Sequence, residues 1–225
     1  MEKKYELIKG DKILVEDGEC CEFFERPNAN RQYVYRIRAL RDVREGVKAG
    51  DLGGYVASET NLAQDGTAWI SGGMVYGKAE VYGDALVSGL VHIYDNVKVY
   101  GRAKICGHLY THGHEHMTIS GDAQIYGDAE IEYESCICGE TQIFDKAIVY
   151  NSYVGGGKIK IHDSAKVSLS KIYGDNVDIY GSAKVLRHSD VYDNVVICDD
   201  AVVTNYAIIN AGTTICGNTR ISGEE

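Results

Sequence analysis

An aliphatic residue returns at nearly every sixth position from Val75 to Tyr110 and again from Ile119 to Ile221, and a small or β-branched residue usually follows it four positions later. The first stretch divides into hexads that open on Val75, Val81, Val87, Ile93, Val99 and Ile105. A six-residue period fits neither the 3.6-residue period of an amphipathic helix nor the indefinite alternation of a strand. It fits a short strand followed by a sharp corner, with three such units closing one triangular coil. The pattern therefore predicts an all-β parallel β-helix with three hexads per coil.

Within each hexad the aliphatic residue and its small follower, as in Ile125/Ala129 or Ile197/Ala201, are expected to face the axis. Between them stand Gly, Asp or Asn, as in Gly83-Asp84, Asp95-Asn96, Gly127-Asp128 and Asp193-Asn194. These residues tolerate the positive φ that a tight corner needs. Val and Ile favour the extended segments between corners. Residues 1–55 lack the hexad rule. They contain apolar runs around Leu7 and Ile13 separated by Gly10-Asp11, a hairpin pattern, and a further strand from Tyr33 to Leu40. The expected organisation is an N-terminal β cap over 1–55, covering the strand edges of the first coil, and a solenoid over 56–225.

The repeat resembles the hexapeptide-repeat family over roughly three quarters of the chain, and a left-handed coil is what that resemblance implies. More narrowly, Tyr35-Arg36-Ile37-Arg38-Ala39-Leu40, the stretch from Val47 to Val56, Asn61-Leu62 and Thr67-Ala68-Trp69 resemble the amino-terminal part of bacterial and prophage β-helix proteins labelled acetyltransferases. The resemblance implies an acyl-CoA-dependent acyltransferase, with acetyl-CoA or another acyl-CoA lying in a groove between the subunits of a homotrimer and a histidine beside the coil as general base. The same fold includes carbonic-anhydrase-like enzymes that bind zinc through three histidines across a subunit boundary.

Composition narrows the setting. The chain has 225 residues, one proline, 26 glycines and three phenylalanines. No run is long enough to span a membrane, and the start lacks the apolar stretch of a signal peptide, which points to the cytoplasm. The seven cysteines show no spacing of a secreted disulfide framework and read as small fillers in a reducing compartment. Residues 1–55 hold eleven acids and eleven bases, so the formal charge of −10 resides in 56–225. Half of the acids there are corner aspartates serving backbone geometry, and without a basic stripe the composition argues against a nucleic-acid partner.

The phase is expected to slip once, where fourteen residues rather than twelve separate Ile105 from Ile119, so that two residues leave the coil near 110–117. It is blurred near Gly155, without a change of phase, and at Tyr173, which follows an early Ile172 into the aliphatic slot. The slip carries His108, His112, His114 and His116. Imidazole titrates near neutrality, so one of the four suits the role of general base toward a hydroxyl or amine acceptor. Alternation in an extended chain puts His112, His114 and His116 on one side, where they could hold zinc. A solvated histidine loop is the plainer reading.

Tyrosine is abundant, with 17 residues. Tyr76, Tyr82, Tyr94, Tyr100 and Tyr126 directly follow an inward aliphatic and so are expected to face outward. Eighteen-residue spacing pairs Tyr76 with Tyr94, Tyr82 with Tyr100, and Tyr126 with Phe144 and His162. Such columns suit either an association surface or the shielding of strand faces. Two further functions are thereby kept beside acyl transfer: a binding or inhibitory protein of phage type that engages a host protein or small ligand, and a self-assembling structural β-helix.

Overall fold

The computed structural model describes residues 2–16, 31–107, 117–210 and 212–223. Among these the chain is all β. Three sheets of eleven, nine and eight strands wrap one axis, and each takes one short parallel strand from each coil, the eleven-stranded sheet being extended by two antiparallel N-terminal strands. Every corner turns the chain from one sheet to the next, so parallel neighbours are one coil apart in sequence. The pairs Ile143↔Ile161 and Val149↔Val167 are each separated by three whole hexads. The solenoid expected from the hexads is the fold observed.

The core is a stack of aliphatic rungs. Ile125, Ile143, Ile161, Ile179 and Ile197 on one sheet and Val87, Ile105, Ile131, Val149 and Val167 on another are all fully buried, with Ala85, Ala103, Ala129 and Ala147 between them. Each buried Val or Ile contributes about 1.5–3 kcal/mol, and a narrow core accumulates this coil by coil.

The corners confirm the turn chemistry. Immediately after the outward residue on the eight-stranded sheet, Gly83, Gly101, Gly127, Asp145, Asp163, Gly181, Asp199 and Gly217 all have positive φ. Aspartate does there what glycine cannot. The carboxylates of Asp163 and Asp199 accept hydrogen bonds from the Gly181 and Gly217 N–H groups of the next coil, at 3.0 and 2.9 Å. The corner acids are thus struts between coils.

β1 (Tyr5–Glu16) runs through Gly10-Asp11 as one strand, with a shift of register between Ile8 and Lys12 where a hairpin turn was expected; it forms an antiparallel hairpin with β2 (Arg31–Ala39), and β2 pairs antiparallel with β3 (Leu52–Val56). β3 joins the eleven-stranded sheet through parallel pairing with Met74 and Val75. The residues just before β1 plug the open end of the core. Lys4 is fully buried, and its Nζ donates to the Asp65 and Ala68 carbonyls at 2.9 and 3.0 Å. Tyr5 Oη donates to the Leu62 carbonyl at 2.7 Å, and Gln64 Oε1 accepts from the Lys4 N–H at 2.8 Å. Burial lowers the Lys4 ammonium to a pKa of about 8 and raises the Tyr5 phenol above its ordinary value.

Two features of phase differ from the sequence expectation. Ile93 pairs with Ile119 and Ile105 with Ile131, so the chain between these neighbours exceeds the three hexads that separate Ile143 from Ile161. The step from Ile105 to Ile119 is one hexad with eight residues in excess, rather than two hexads with two in excess. Second, Val154 pairs with Ile137 one residue short of three hexads, and Val191 with Ile172 one residue beyond them. On this one sheet the inward position falls a residue early, at Val154 and Ile172, while the other two sheets keep three hexads between Ile143 and Ile161 and between Val149 and Val167. The shift puts Val154 and Ile172 in the core at full burial and turns Tyr173 out, 37% exposed. A one-residue slip in a strand exchanges its two faces, and here it spares the core a phenol and a side-chain gap at Gly155.

Candidate functional site

On the eight-stranded sheet, the residue after each inward aliphatic points outward, and in-register parallel strands place these residues directly above one another. Six rings form one continuous column: Tyr82, Tyr100, Tyr126, Phe144, His162 and Tyr180. Successive centroids lie 5.0, 4.8, 4.9, 4.7 and 5.2 Å apart, with planes within 7° of parallel. The spacing is that of β-strands, so each ring rests face to face on the next and presents only its edge to solvent. Partial burial raises the phenols of Tyr82, Tyr100 and Tyr126, with neighbouring phenols and carboxylates adding to the rise at Tyr82 and Tyr126. A row of protonated hydroxyl groups therefore lines the column. Because the faces are occupied by one another, the column offers hydrogen bonds and ring edges rather than stacking platforms.

A shallow groove of about 340 Å³ runs beside it, lined by Asp122, Gln124, Glu140, Gln142, Lys158, Ile159 and Lys160. On the far flank, salt bridges join successive coils, Arg102 to Asp128 at 2.6 Å and Lys104 to Glu130 at 2.7 Å. His162 differs from the other rings in that its nitrogens meet acids: Nε2 lies 3.1 Å from Asp178 Oδ1, and Nδ1 lies 3.6 Å from Asp163 Oδ1. Two coils on, the column ends in Cys198 and Cys216, joined as a disulfide across an 18-residue separation. Their expected role as separate fillers is corrected accordingly. In-register coils bring like positions within a Cα–Cα distance of 4.7 Å, close enough to bond.

Of the tyrosines expected to face solvent, Tyr82, Tyr100 and Tyr126 lie half-buried in this column. Tyr76 and Tyr94 do stack, at 5.1 Å, but both are buried, at 0 and 1% exposure. They point outward from the eleven-stranded sheet into a second apolar cluster with Val34 of β2 and Cys138, so the exposed surface expected of them is corrected. Cys136 and Cys138 flank Ile137 on this same sheet, and the Cys138 sulfur packs 3.5 Å from Tyr153 Oη. His108, His112, His114 and His116 lie outside the described residues, as do Cys20 and Cys21.

His162 and the cysteine pair were not singled out by sequence reasoning as sites. The signal was present in the repeat of three hexads, since Cys198 and Cys216 are 18 residues apart and so are Asp145 and Asp163. No protein-family profile and no curated protein matches the chain. What defines the molecule is its class, a β-solenoid with three short strands per coil and an antiparallel N-terminal segment.

Proposed function

We propose that this β-solenoid is an acyltransferase that takes its acyl group from an acyl-CoA, with one histidine of the 108–116 segment as general base. The observation that carries the reading is the register: eight residues in excess of the coil fall between Ile105 and Ile119, and the segment that supplies them holds four of the seven histidines. Insertions on a rigid solenoid are where function is added, because the coil positions them without depending on them. The thioester of the donor supplies the activated acyl carbon. The histidine removes the proton from an acceptor hydroxyl or amine as that group attacks.

The groove beside the aromatic column suits the donor in part. Gln124 and Gln142 match the amides of its extended arm and Lys158 and Lys160 its phosphates, while Asp122 and Glu140 oppose phosphate. The groove is open on one side, which favours closure by a second copy, as in a homotrimer. The test is calorimetric titration with acetyl-CoA, followed by thiol release in the presence of amine and hydroxyl acceptors. Saturable heat, and thiol release lost when His112, His114 and His116 are replaced by alanine, support the reading. Absence of heat at millimolar acetyl-CoA overturns it.

A second reading, a binding protein that engages an extended partner, is favoured by the row of half-buried phenols at Tyr82, Tyr100 and Tyr126. Specific capture from a cell lysate that is lost in a Tyr100→Ser/Tyr126→Ser variant supports it, and capture indifferent to that change rejects it.

A further inference from the structure

His162 is the one ring of the aromatic column whose two edge atoms both meet carboxylates. The ring is clamped between Phe144 and Tyr180, at 4.7 and 5.2 Å, and cannot tilt away without breaking both stacks. A neutral imidazole carries one N–H. With Nε2–H donating to Asp178 Oδ1 at 3.1 Å, the Nδ1 lone pair faces Asp163 Oδ1 at 3.6 Å. A lone pair directed at a carboxylate oxygen is repelled unless a proton or a cation stands between them.

Asp145, one coil earlier, adds a second carboxylate at the same place, and the donor atoms of Asp145, His162 and Asp163 all lie within 4.8 Å of one another. Both acids are exposed, and each is held at one oxygen. They occupy corners with φ of 56° and 58°, and one oxygen of each accepts from the backbone of the next coil, Asp145 Oδ2 from the Asp163 N–H at 3.4 Å and Asp163 Oδ2 from the Gly181 N–H at 3.0 Å. The second oxygen of each remains for a ligand.

We propose that Asp145, His162 and Asp163 bind a divalent transition cation, with Asp178 as the carboxylate that orients the imidazole. One imidazole with two carboxylates is a donor set that first-row divalent ions such as Mn²⁺ and Zn²⁺ accept. A metal-bound histidine commonly gives its other N–H to a carboxylate, which sets the tautomer and the ring direction, and Asp178 stands where that partner is needed. The site is independent of the acyl-transfer reading and of the 108–116 segment.

Mn²⁺ is the probe of choice, because it is paramagnetic and prefers carboxylate ligands to thiols such as that of Cys106. The test is an electron-paramagnetic-resonance titration of the full chain and of His162→Phe, which keeps a ring in the stack, with paramagnetic broadening of NMR resonances to locate the ion. The expected result is one bound Mn²⁺ that His162→Phe loses, broadening centred on Phe144 and Tyr180, and roughly 10–100-fold weaker binding in Asp178→Asn. Should His162→Phe lose its β circular dichroism, Asp145→Asn/Asp163→Asn gives the same comparison. Failure of the native chain to bind Mn²⁺, binding that is unchanged by these substitutions, or broadening elsewhere would each overturn the assignment.

Discussion

Tyr100 stacks on Tyr126 with ring centroids 4.8 Å apart and planes 5° from parallel, although the whole histidine-bearing segment lies between them in sequence. Their contact joins the rings before that segment to those after it. Tyr126 also stacks on Phe144, so Tyr126→Ala removes two ring contacts. At about 0.5–1.5 kcal/mol per contact the expected loss is about 1–3 kcal/mol of unfolding free energy. Tyr126→Phe keeps both contacts and is expected to stay within about 0.5 kcal/mol of the native chain. Urea unfolding of the two variants checks the difference.

Gly155 is required by what packs on it. A β-carbon there would stand 2.2 Å from the Cys138 sulfur. Gly155→Ala is therefore expected to cost about 1–3 kcal/mol through overpacking. Cys138→Ala removes the obstructing atom, so the double variant should recover much of that loss. The measurement is a double-mutant cycle, in which the expected coupling is at least about 0.5 kcal/mol.

The N-terminal plug gives stability an alkaline dependence with two opposed parts. Lys4 has a folded pKa of about 8 against an ordinary 10.5, lowered first by burial. Between those values the unfolded chain binds more protons than the folded one, so this group makes stability rise with pH. Tyr5 is raised above its ordinary 10.0, again first by burial. Its contribution is complete below pH 10 and is lost as the pH climbs further. Unfolding free energies measured from pH 7 to pH 11 should show the rise flattened in Lys4→Met and the later fall reduced in Tyr5→Phe.

The Cys198–Cys216 disulfide staples the last two rungs of the eight-stranded sheet across an 18-residue separation. A loop of about this size, once closed, stabilises by about 3 kcal/mol. Reductant is expected to speed amide exchange in the strands Thr214–Ile215 and Arg220–Ser222, and much less in Gln142–Ile143. A Cys198→Ala/Cys216→Ala variant should exchange at the reduced rate whether or not reductant is present.

Most of the fold was legible because its signal is local and repeated. A buried aliphatic at every sixth residue, with Gly or Asp at the corner, specifies each strand without knowledge of its partner. Ile125 and Ile197 face the axis as that pattern requires, and the corner residues Asp95 and Asp193 have the positive φ it implies. What failed was counting across an interruption. Fourteen residues from Ile105 to Ile119 admit either two hexads and two extra residues or one hexad and eight, and only the pairing of Ile105 with Ile131 decides. The contact of Tyr100 with Tyr126 follows from the second count alone.

Burial of outward residues was illegible for a different reason. Tyr76 and Tyr82 stand in hexads that open on the same triplet, Val-Tyr-Gly, and period alone assigns both to the outside. Tyr76 belongs to the sheet that β2 extends, and Val34 of that hairpin packs into the same cluster, while Tyr82 is on a sheet without such cover. At Gly155 and Tyr173 the shift of phase depends on which neighbour can fill the core, and Val154 and Ile172 do so. The approach of Asp145 and Asp178 to His162 needs adjacent coils to be in register, which a search for contiguous motifs does not see.

The register across the histidine-bearing segment is tested most directly by cross-linking in a background without other cysteines. Tyr100→Cys combined with Tyr126→Cys should oxidise to a disulfide as readily as Cys198 and Cys216 do, because both pairs occupy the same column on neighbouring coils. Tyr100→Cys combined with Ser120→Cys should remain reduced, since those positions lie on different sheets. Closure of the second pair and not the first, read by mass spectrometry, would contradict the eight-residue excess and the continuous column built on it.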